Sequence, residues 1–220
     1  MTAKDGTAKD WKTPQLNHKD VEITQRETLY QGFFSADELT LRHRTFEGGW
    51  AGPMSRELFV RGPAVGVLLY DPERDLLGMV EQFRVGALDE PQGPWCLEIV
   101  AGIVEAGESV QEVAFRESLE ESGVEPYRME YICRYLPSPG ASNEVMHLYC
   151  GCADLRQAGG IHGLATEHED IKVHVLPAEP VLTDLYCGRV NNAAALLCLQ
   201  WLQINRPRLR ANLAAEPSSK

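Results

Sequence analysis

The chain has 220 residues, 44% of them hydrophobic, which is enough for one large domain or two small ones with a packed core. Aspartate and glutamate total 32 against 21 lysines and arginines, so the formal net charge is −11. This balance argues against nucleic acid and anionic membranes as partners, because both bind basic surfaces. No apolar stretch approaches the roughly 20 residues of a membrane span, and the polar N-terminus MTAKDGTAKDWK lacks the apolar segment of a signal peptide. The six cysteines form no CxxC pair, and we expect reduced thiols in a cytoplasmic protein.

The first part of the chain predicts a small antiparallel β domain over residues 19–62, preceded by a disordered polar tail over residues 1–18. Three stretches alternate apolar and polar residues as strands do: EITQRETLYQGFF, ELTLRHRTFEG and SRELFVRG. A unit of this size is only marginally stable alone. We therefore expect it to pack on the rest of the chain or on a second copy.

From residue 63 the pattern changes, which predicts a second domain over residues 63–206 and a polar tail over residues 207–220. The predicted strands are AVGVLLY, LLGMVEQFR, WCLEIVAG, YICRYLP, EVMHLYCGC and KVHVL. Helices are predicted over about residues 109–122, 178–187 and 192–205, the last of them apolar over most of its surface. Mixed strands with interposed helices favour an α/β or α+β sandwich.

The helix predicted over residues 109–122 carries acids where a helix normally buries apolar residues. At about 100° per residue, one stripe starts apolar and ends acidic. Its members are Val110, Val113, Ala114, Glu117, Glu120, Glu121 and Val124. Phe115 and Leu119 form a second apolar strip, which predicts a helix held between two layers.

Carboxylates on a buried stripe need cations, and within this helix only Arg116 is basic. Crowding and burial are expected to raise their pKa values. Hard oxygen ligands suit Mg²⁺ or Mn²⁺, so the stripe indicates a divalent metal site, with a solvated acidic helix end as an equally weighted alternative. Gly102 and Gly107 bracket the preceding loop and would let its backbone approach a metal or an anion closely.

The segment from Gly102 to Val124 resembles the Nudix box, in which a glycine, a glutamate and an Arg-Glu-x-x-Glu-Glu-x-Gly run follow at fixed spacing. The charged and glycine positions are all present, at Gly102, Glu108, Arg116, Glu117, Glu120, Glu121 and Gly123. Ser118 stands where the pattern asks for an aliphatic or small residue. The resemblance implies the Nudix α/β/α sandwich with a mixed sheet.

Further stretches are similar to the bacterial ADP-ribose pyrophosphatase branch of that family: LYQGFF, EQFR, AGIVEAGES, SPGASNE, GIHGLATEHEDIKVHV and NNAAALLCLQWLQ. The resemblance implies hydrolysis of ADP-ribose to AMP and ribose 5-phosphate. It implies Mg²⁺ as the cofactor, with Mn²⁺ as a possible substitute. It also implies a homodimer in which the N-terminal β domain contacts the partner subunit and the substrate.

The resemblance implies chemical roles for the acids of the box and for those of the later loop 164–170. Glu117 and Glu121 would bind metal with Glu120 nearby, the carbonyl of Ala101 would add a ligand, and Glu169 would bind an additional metal. Glu167 would be the catalytic base, with His168 as an alternative. A solvated acidic loop is the plainer interpretation of that segment. Arg116 is expected to hold Glu108 or a neighbouring acid by a forked salt bridge.

The resemblance also implies substrate contacts, at Phe33, Phe34, Arg56, Glu57, Arg61, Arg84, Ile103, Ser138, Pro139, Gly140 and Glu144. The phenylalanines would stack on adenine, and arginine suits phosphate or a base. Each also has a plainer interpretation, as core of the β domain or as a surface ion pair. Glu98 is interpreted as a structural residue that faces the motif loop.

Two other functions are open. Nudix hydrolases also cleave GDP-mannose, other nucleotide sugars, dinucleoside polyphosphates and oxidised nucleotides, and the box does not distinguish these substrates. Some Nudix-like domains sense a nucleotide without cleaving it, but those tend to lose a box glutamate or the base, and all are present here.

Overall fold

A computed structural model describes residues 12–164, 166 and 168–213 of the chain. The strands are β1 Val21–Gln31, β2 Ser35–Arg44, β3 Trp50–Val60, β4 Pro63–Asp71, β5 Leu76–Phe83, β6 Trp95–Glu98, β7 Val100–Ile103, β8 Arg128–Tyr135, β9 Val145–Cys152, β10 Gly160–His162 and β11 Ile171–Pro177. The helices are α1 Val110–Ser122, α2 Ala178–Thr183 and α3 Ala193–Leu213. None of the described helices is both long and apolar enough to cross a bilayer.

The chain divides into two compact units. The first ends at Arg61 and also includes the later segment Ser138–Asn143. The second comprises Gly62–Pro137 and the chain from Glu144 onward. The predicted N-terminal tail lies mostly outside the described residues.

The first unit is built on a three-stranded antiparallel sheet in the order β1-β2-β3. Its middle strand buries Leu39 and Asp37, and Arg26 of β1 pairs with the Asp37 carboxylate. Every residue of β1 is exposed, and this edge strand pairs only with β2 among the described residues. The unpaired backbone groups of such an edge can pair with another strand or chain.

The second unit is an α/β/α sandwich, as the family resemblance predicts. Its mixed sheet has the order β10-β11-β5-β4-β9-β8, with β6 on β5 and β7 on β4, and the β4–β9 pair is parallel. Strand β4 is buried on both faces, which explains its continuous apolar run. Its side chains alternate between two core clusters, Leu68 and Tyr70 in one and Val67 and Leu69 in the other. The second cluster includes Val113 and Ala114 of α1, while the first includes residues of α2 and α3.

Among the described residues, helix α1 is covered on one side only, so the prediction of a helix held between two layers was wrong. It packs against strands of the sheet, chiefly β7 and β4. Leu119, on the opposite side, is 54% exposed. Within the described residues, no second layer covers Leu119.

Helix α3 runs to Leu213, beyond the predicted end at about residue 205, so part of the predicted tail is helical. Pro207 lies inside the helix, where it removes one backbone donor. The added turns are held by ion pairs of Arg206 and Arg210 to Asp75, and Leu209 is fully buried. These partners lie far away in sequence, so the local pattern did not reveal them.

Candidate active site

Helix α1 carries the acidic stripe, and both ends of this helix are capped. At its start, the Ser109 side chain accepts a hydrogen bond from Glu112 N, and Glu112 accepts one in return from Ser109 N. At its end, Gly123 adopts the left-handed conformation, with φ of 66°, and donates its N–H to Leu119 O. These caps fix the helix register and therefore the face on which Glu117 and Glu121 lie.

Ser118, the departure from the motif, lies in the core below this face. It is fully buried and donates its hydroxyl to Ala114 O at 2.7 Å. The helix backbone therefore satisfies the hydroxyl, and a small side chain fits the site.

Glu121 is a buried carboxylate held by two neutral donors. Its side chain accepts a hydrogen bond from Ala101 N at 2.9 Å and a longer one from the Gln82 amide at 3.4 Å. Glu121 is 3% exposed, and the described residues give it no ion pair. Burial raises the pKa of Glu121 to about 8, the Ala101 N–H opposes this, and the charge of Glu117 adds to it. A carboxylate in this setting is either protonated or neutralised by a cation.

Glu117 lies one helical turn earlier, beside the glycine loop. Its side chain occupies the space in which a β-carbon on residue 102 would lie, so Gly102 is required for this approach. Burial raises the pKa of Glu117 to about 7, with Arg116 opposing the rise and the charges of Glu120 and Glu169 adding to it.

Arg116 connects three acids. Its Nε and Nη2 form the predicted forked pair with Glu108, at 3.2 and 3.4 Å. Its Nη1 donates to Glu117 at 2.8 Å and to Glu120 at 2.9 Å. One guanidinium therefore compensates Glu108, Glu117 and Glu120, while Glu121 points to other partners.

The donor set fits a hard divalent cation, although no three acid, histidine or cysteine side chains of the described residues are already gathered around one metal position. Glu117 and Glu120 are turned toward Arg116, and Glu121 toward Ala101 N. Glu117, which is partly buried, and Glu121, which is buried, are nevertheless two carboxylates with raised pKa values on one helix face. A cation there would replace the protons that burial favours.

A cleft of about 390 Å³ lies in the second unit, lined by Gln82, Phe83, Arg84, Trp95, His168, Glu169 and Asp170. Gln82 connects this cleft to Glu121. Arg84 follows β5, and its Nε donates to the Glu98 carboxylate at 2.7 Å. Glu169 shapes the loop, because its carboxylate accepts a hydrogen bond from Leu164 N at 3.0 Å.

An aromatic cluster in the first unit contains several predicted substrate residues. Phe34 lies edge-on to Phe33 and Phe59, with ring centroids at 4.7 and 5.2 Å. The Arg61 guanidinium stacks 4.5 Å from the Phe34 centroid. Phe34 is thus packed by its neighbours, whereas Phe33 is 85% exposed. Of the two rings, Phe33 is the one available to stack on a base.

The segment Ser138–Asn143 joins this cluster by hydrogen bonds to β3 and to Arg61, the residue after its end. Phe59 N donates to Ala141 O at 2.8 Å, and Arg61 N donates to the Asn143 side chain at 2.8 Å. This brings the predicted ribose-binding turn into the same unit as the predicted base-binding residues, although they lie far apart in the sequence.

The structure thus places the predicted site residues in two groups. The first unit holds Phe33, Phe34, Arg56, Glu57, Arg61, Ser138, Pro139 and Gly140. The second unit holds Arg84, Ala101, Ile103, Glu108, Glu117, Glu120, Glu121, Glu144 and Glu169. Arg56, Glu57 and Ile103 are exposed. Glu167, the predicted base, lies outside the described residues.

Sequence reasoning missed Gln82 and gave Glu98 no partner. Gln82 is buried and contacts Glu121, and Glu98 pairs with Arg84. A polar residue in the apolar strand LLGMVEQF is the one local signal for Gln82.

The sequence of this chain is similar to those of known proteins. The profile of the NUDIX domain matches residues 60–186. The chain is 46% identical over 191 residues to an ADP-ribose pyrophosphatase of Escherichia coli K12, covering 87% of this chain and 91% of that protein. It is 43% identical over 198 residues to an ADP-ribose pyrophosphatase of Haemophilus influenzae, covering 89% and 91%.

Two more distant matches are informative. A GDP-mannose pyrophosphatase of Cronobacter sakazakii is 29% identical over 192 residues, with 84% of this chain and 96% of that protein covered. A crystal structure of an ADP compounds hydrolase matches with a TM-score of 0.60 at 20% identity, over 88% of this chain and 98% of that chain, and supports the fold. The chain belongs to the Nudix hydrolase family, on the branch of the bacterial ADP-ribose pyrophosphatases.

Proposed function

We propose that this protein hydrolyses ADP-ribose to AMP and ribose 5-phosphate with a divalent metal ion, by preference Mg²⁺, with Mn²⁺ as a substitute. The observation that carries the proposal is the buried carboxylate of Glu121, one turn from Glu117 and fixed to the Gly102 loop through Ala101 N. Relatives at 43% and 46% identity that are ADP-ribose pyrophosphatases support the substrate.

Nudix ADP-ribose pyrophosphatases generally depend on a divalent metal. Here Glu117, Glu120 and Glu121, the carbonyl of Ala101 and Glu169 would hold it. When bound, the metal supplies charge neutralisation at the pyrophosphate and lowers the pKa of water. Binding would require Glu117 and Glu120 to turn from Arg116, which keeps its forked pair with Glu108.

In the proposed reaction, a water oxygen forms a bond to phosphorus and the bridging P–O bond breaks. The water proton passes to a base, for which Glu167 is our candidate and His168 the alternative. Glu167→Gln is expected to lower kcat by at least about a hundredfold, the range that general bases supply. A near-normal rate in this variant would move the role to another group.

For substrate binding, we propose that Phe33 stacks on adenine and that Arg84 binds phosphate. Arg56, Glu57 and Arg61 of the first unit, and Ile103 and Glu144 of the second, would complete the contacts. Ser138, Pro139 and Gly140 would bind the terminal ribose through their backbone.

We further propose a homodimer in a cytoplasmic setting, in which the β domain of residues 19–62 contacts the partner subunit. Residues 63–206 form the hydrolase domain of each subunit. The support is β1, which is exposed along its whole length and carries Ile23 and Leu29 at 58% and 53% exposure. Light scattering coupled to size-exclusion chromatography should give twice the monomer mass. A monomer at micromolar concentration would contradict this part.

The test is product analysis after incubation with Mg²⁺ and, in parallel, ADP-ribose, GDP-mannose or a diadenosine polyphosphate. We expect AMP and ribose 5-phosphate from ADP-ribose to appear fastest. Faster release of GMP from GDP-mannose would keep the hydrolase and replace the substrate. No product from any of them would favour a nucleotide sensor.

A further inference from the structure

The Arg84–Glu98 pair stands beside the acidic face, and the proposed reaction gives no role to Glu98. Arg84 begins a short 3-10 helix at Val85–Ala87, and its backbone N donates to Pro94 O at 2.8 Å. Its side chain is bound at one atom only, because Nε donates to Glu98 Oε2 at 2.7 Å. Among the described residues, neither Nη1 nor Nη2 of Arg84 has a hydrogen-bond or ion-pair partner.

Glu98 is well suited to fix a neighbour. Its side chain is 15% exposed, and among the described residues Arg84 is the one side chain that forms a hydrogen bond or ion pair with it. It lies on β6 opposite Val80 of β5, so both partners are carried by paired strands. A short charge-assisted bond between two such positions fixes the plane of the guanidinium more firmly than an exposed pair would.

The orientation of the Arg84 guanidinium matters because Arg84 lines the cleft of the second unit. Arg84 is the one permanently positive side chain among the described residues that line the cleft, which also contains Glu169 and Asp170. Arg84 lies near the acidic face, because Gln82, two residues earlier in the chain, donates a hydrogen bond to Glu121. A guanidinium held at Nε keeps its two terminal nitrogens for a bidentate contact with a phosphate.

We infer that Glu98 is a positioning residue, which holds Arg84 by Nε so that its Nη groups bind a phosphate of the substrate. The inference rests on the proposed function, because it takes the ligand to be a phosphate ester or pyrophosphate. Exposed ion pairs usually contribute little to the stability of a fold. The inference gives the Glu98–Arg84 pair a role in substrate binding instead.

A double-mutant cycle in the full-length protein tests the inference. Variants Glu98→Ala, Arg84→Ala and the double variant are compared by KM and kcat for ADP-ribose at saturating Mg²⁺. Glu98→Ala should raise KM roughly tenfold and change kcat less than about threefold, because one charge-assisted contact is lost. In the Arg84→Ala background, the same change should alter KM less than about twofold.

Two further variants separate positioning from folding. Glu98→Gln keeps an oxygen that accepts from Arg84 Nε, so its KM should lie between those of the wild type and Glu98→Ala. This variant keeps the inference testable if Glu98→Ala folds poorly. Glu130→Ala is the control. Glu130 lies on β8 and pairs with Arg208 of α3, so its loss should leave KM unchanged. An equal effect of Glu98→Ala with and without Arg84, or a loss confined to kcat, would overturn the inference.

A second readout does not depend on turnover. Binding of AMP and of ribose 5-phosphate is measured by calorimetry for the wild type and Glu98→Ala. At least one of the two phosphates should bind about tenfold more weakly to the variant. Unchanged affinities for both, or no binding of either to the wild type, would contradict the role. The two proposals can fail separately. If the wild type does not cleave ADP-ribose, but Glu98→Ala still binds the phosphates more weakly than the wild type does, the proposed function fails and the role of Glu98 stands.

Discussion

The carboxylate of Glu117 lies directly against the α-carbon of Gly102. A β-carbon built on Gly102 would stand 1.9 Å from Glu117 Oε1 and 2.0 Å from Glu117 Cδ, both far below contact distance. The first glycine of the motif is therefore needed to make room for the first glutamate of its acidic cluster.

Gly102→Ala should displace Glu117 without unfolding the protein. The clash is with a side chain that can rotate, so we expect unfolding free energy to change by about 1 kcal/mol or less. Metal-dependent turnover should fall at least about tenfold, because Glu117 loses its place beside the loop. Gly86→Ala is the matched control, since nothing lies within 4 Å of a β-carbon at that position. Wild-type turnover in Gly102→Ala would show that the displaced position of Glu117 is harmless.

The burial of Glu121 predicts a pH-dependent stability of the metal-free protein. The pKa of this carboxyl is about 8 in the folded state against an ordinary 4.5, so the folded state binds the proton more tightly than the unfolded state. The contribution of Glu121 to stability therefore falls as pH rises from about 4.5 to 8, and is constant above that.

Glu121→Gln isolates this contribution, because glutamine resembles the neutral acid. In EDTA, the variant should gain stability relative to the wild type between pH 5 and pH 8, by on the order of a few kcal/mol. Urea denaturation at both pH values measures the difference. Saturating Mg²⁺ should remove most of it for the wild type. A difference that does not vary with pH would mean that Glu121 titrates normally.

The two neighbouring phenylalanines should separate binding from folding. Phe33→Ala removes a ring that is 85% exposed, so stability should change little while KM for ADP-ribose rises several-fold through lost stacking. Phe34→Ala removes the ring packed by Arg61 and Phe59 and should cost about 1–3 kcal/mol of stability. Chemical denaturation and steady-state kinetics of both variants measure this. An unaltered KM in Phe33→Ala would remove this residue from the substrate site.

Much of the fold follows from local patterns. The apolar run of β4, the alternation of the first three strands and the helix starting at Ser109 depend on residues near in sequence, and each was predicted at about the right place. The acidic stripe was also readable, since Glu117 follows the buried Val113 by four residues and Glu121 follows Glu117 by four more.

What the sequence did not reveal depends on partners distant in the chain. The contact of Gln82 with Glu121 and the extension of α3 by Asp75 join residues from different elements. Leu119 is exposed because no element of the described chain packs over that side of α1. The docking of Asn143 on Arg61 N likewise has no signature in the turn-rich stretch itself.

The central claim is that the acidic face of α1 carries metal-dependent hydrolysis of ADP-ribose. The most direct measurement is the release of AMP from ADP-ribose by the wild type, Glu121→Gln and Glu125→Gln, each with Mg²⁺ and with EDTA. Glu125 is the control, an exposed acid just beyond the helix. We predict turnover in the wild type and Glu125→Gln with Mg²⁺ alone, and a loss of at least about a thousandfold in Glu121→Gln with the fold retained. Undiminished turnover in Glu121→Gln, or turnover of the wild type in EDTA, would contradict the claim.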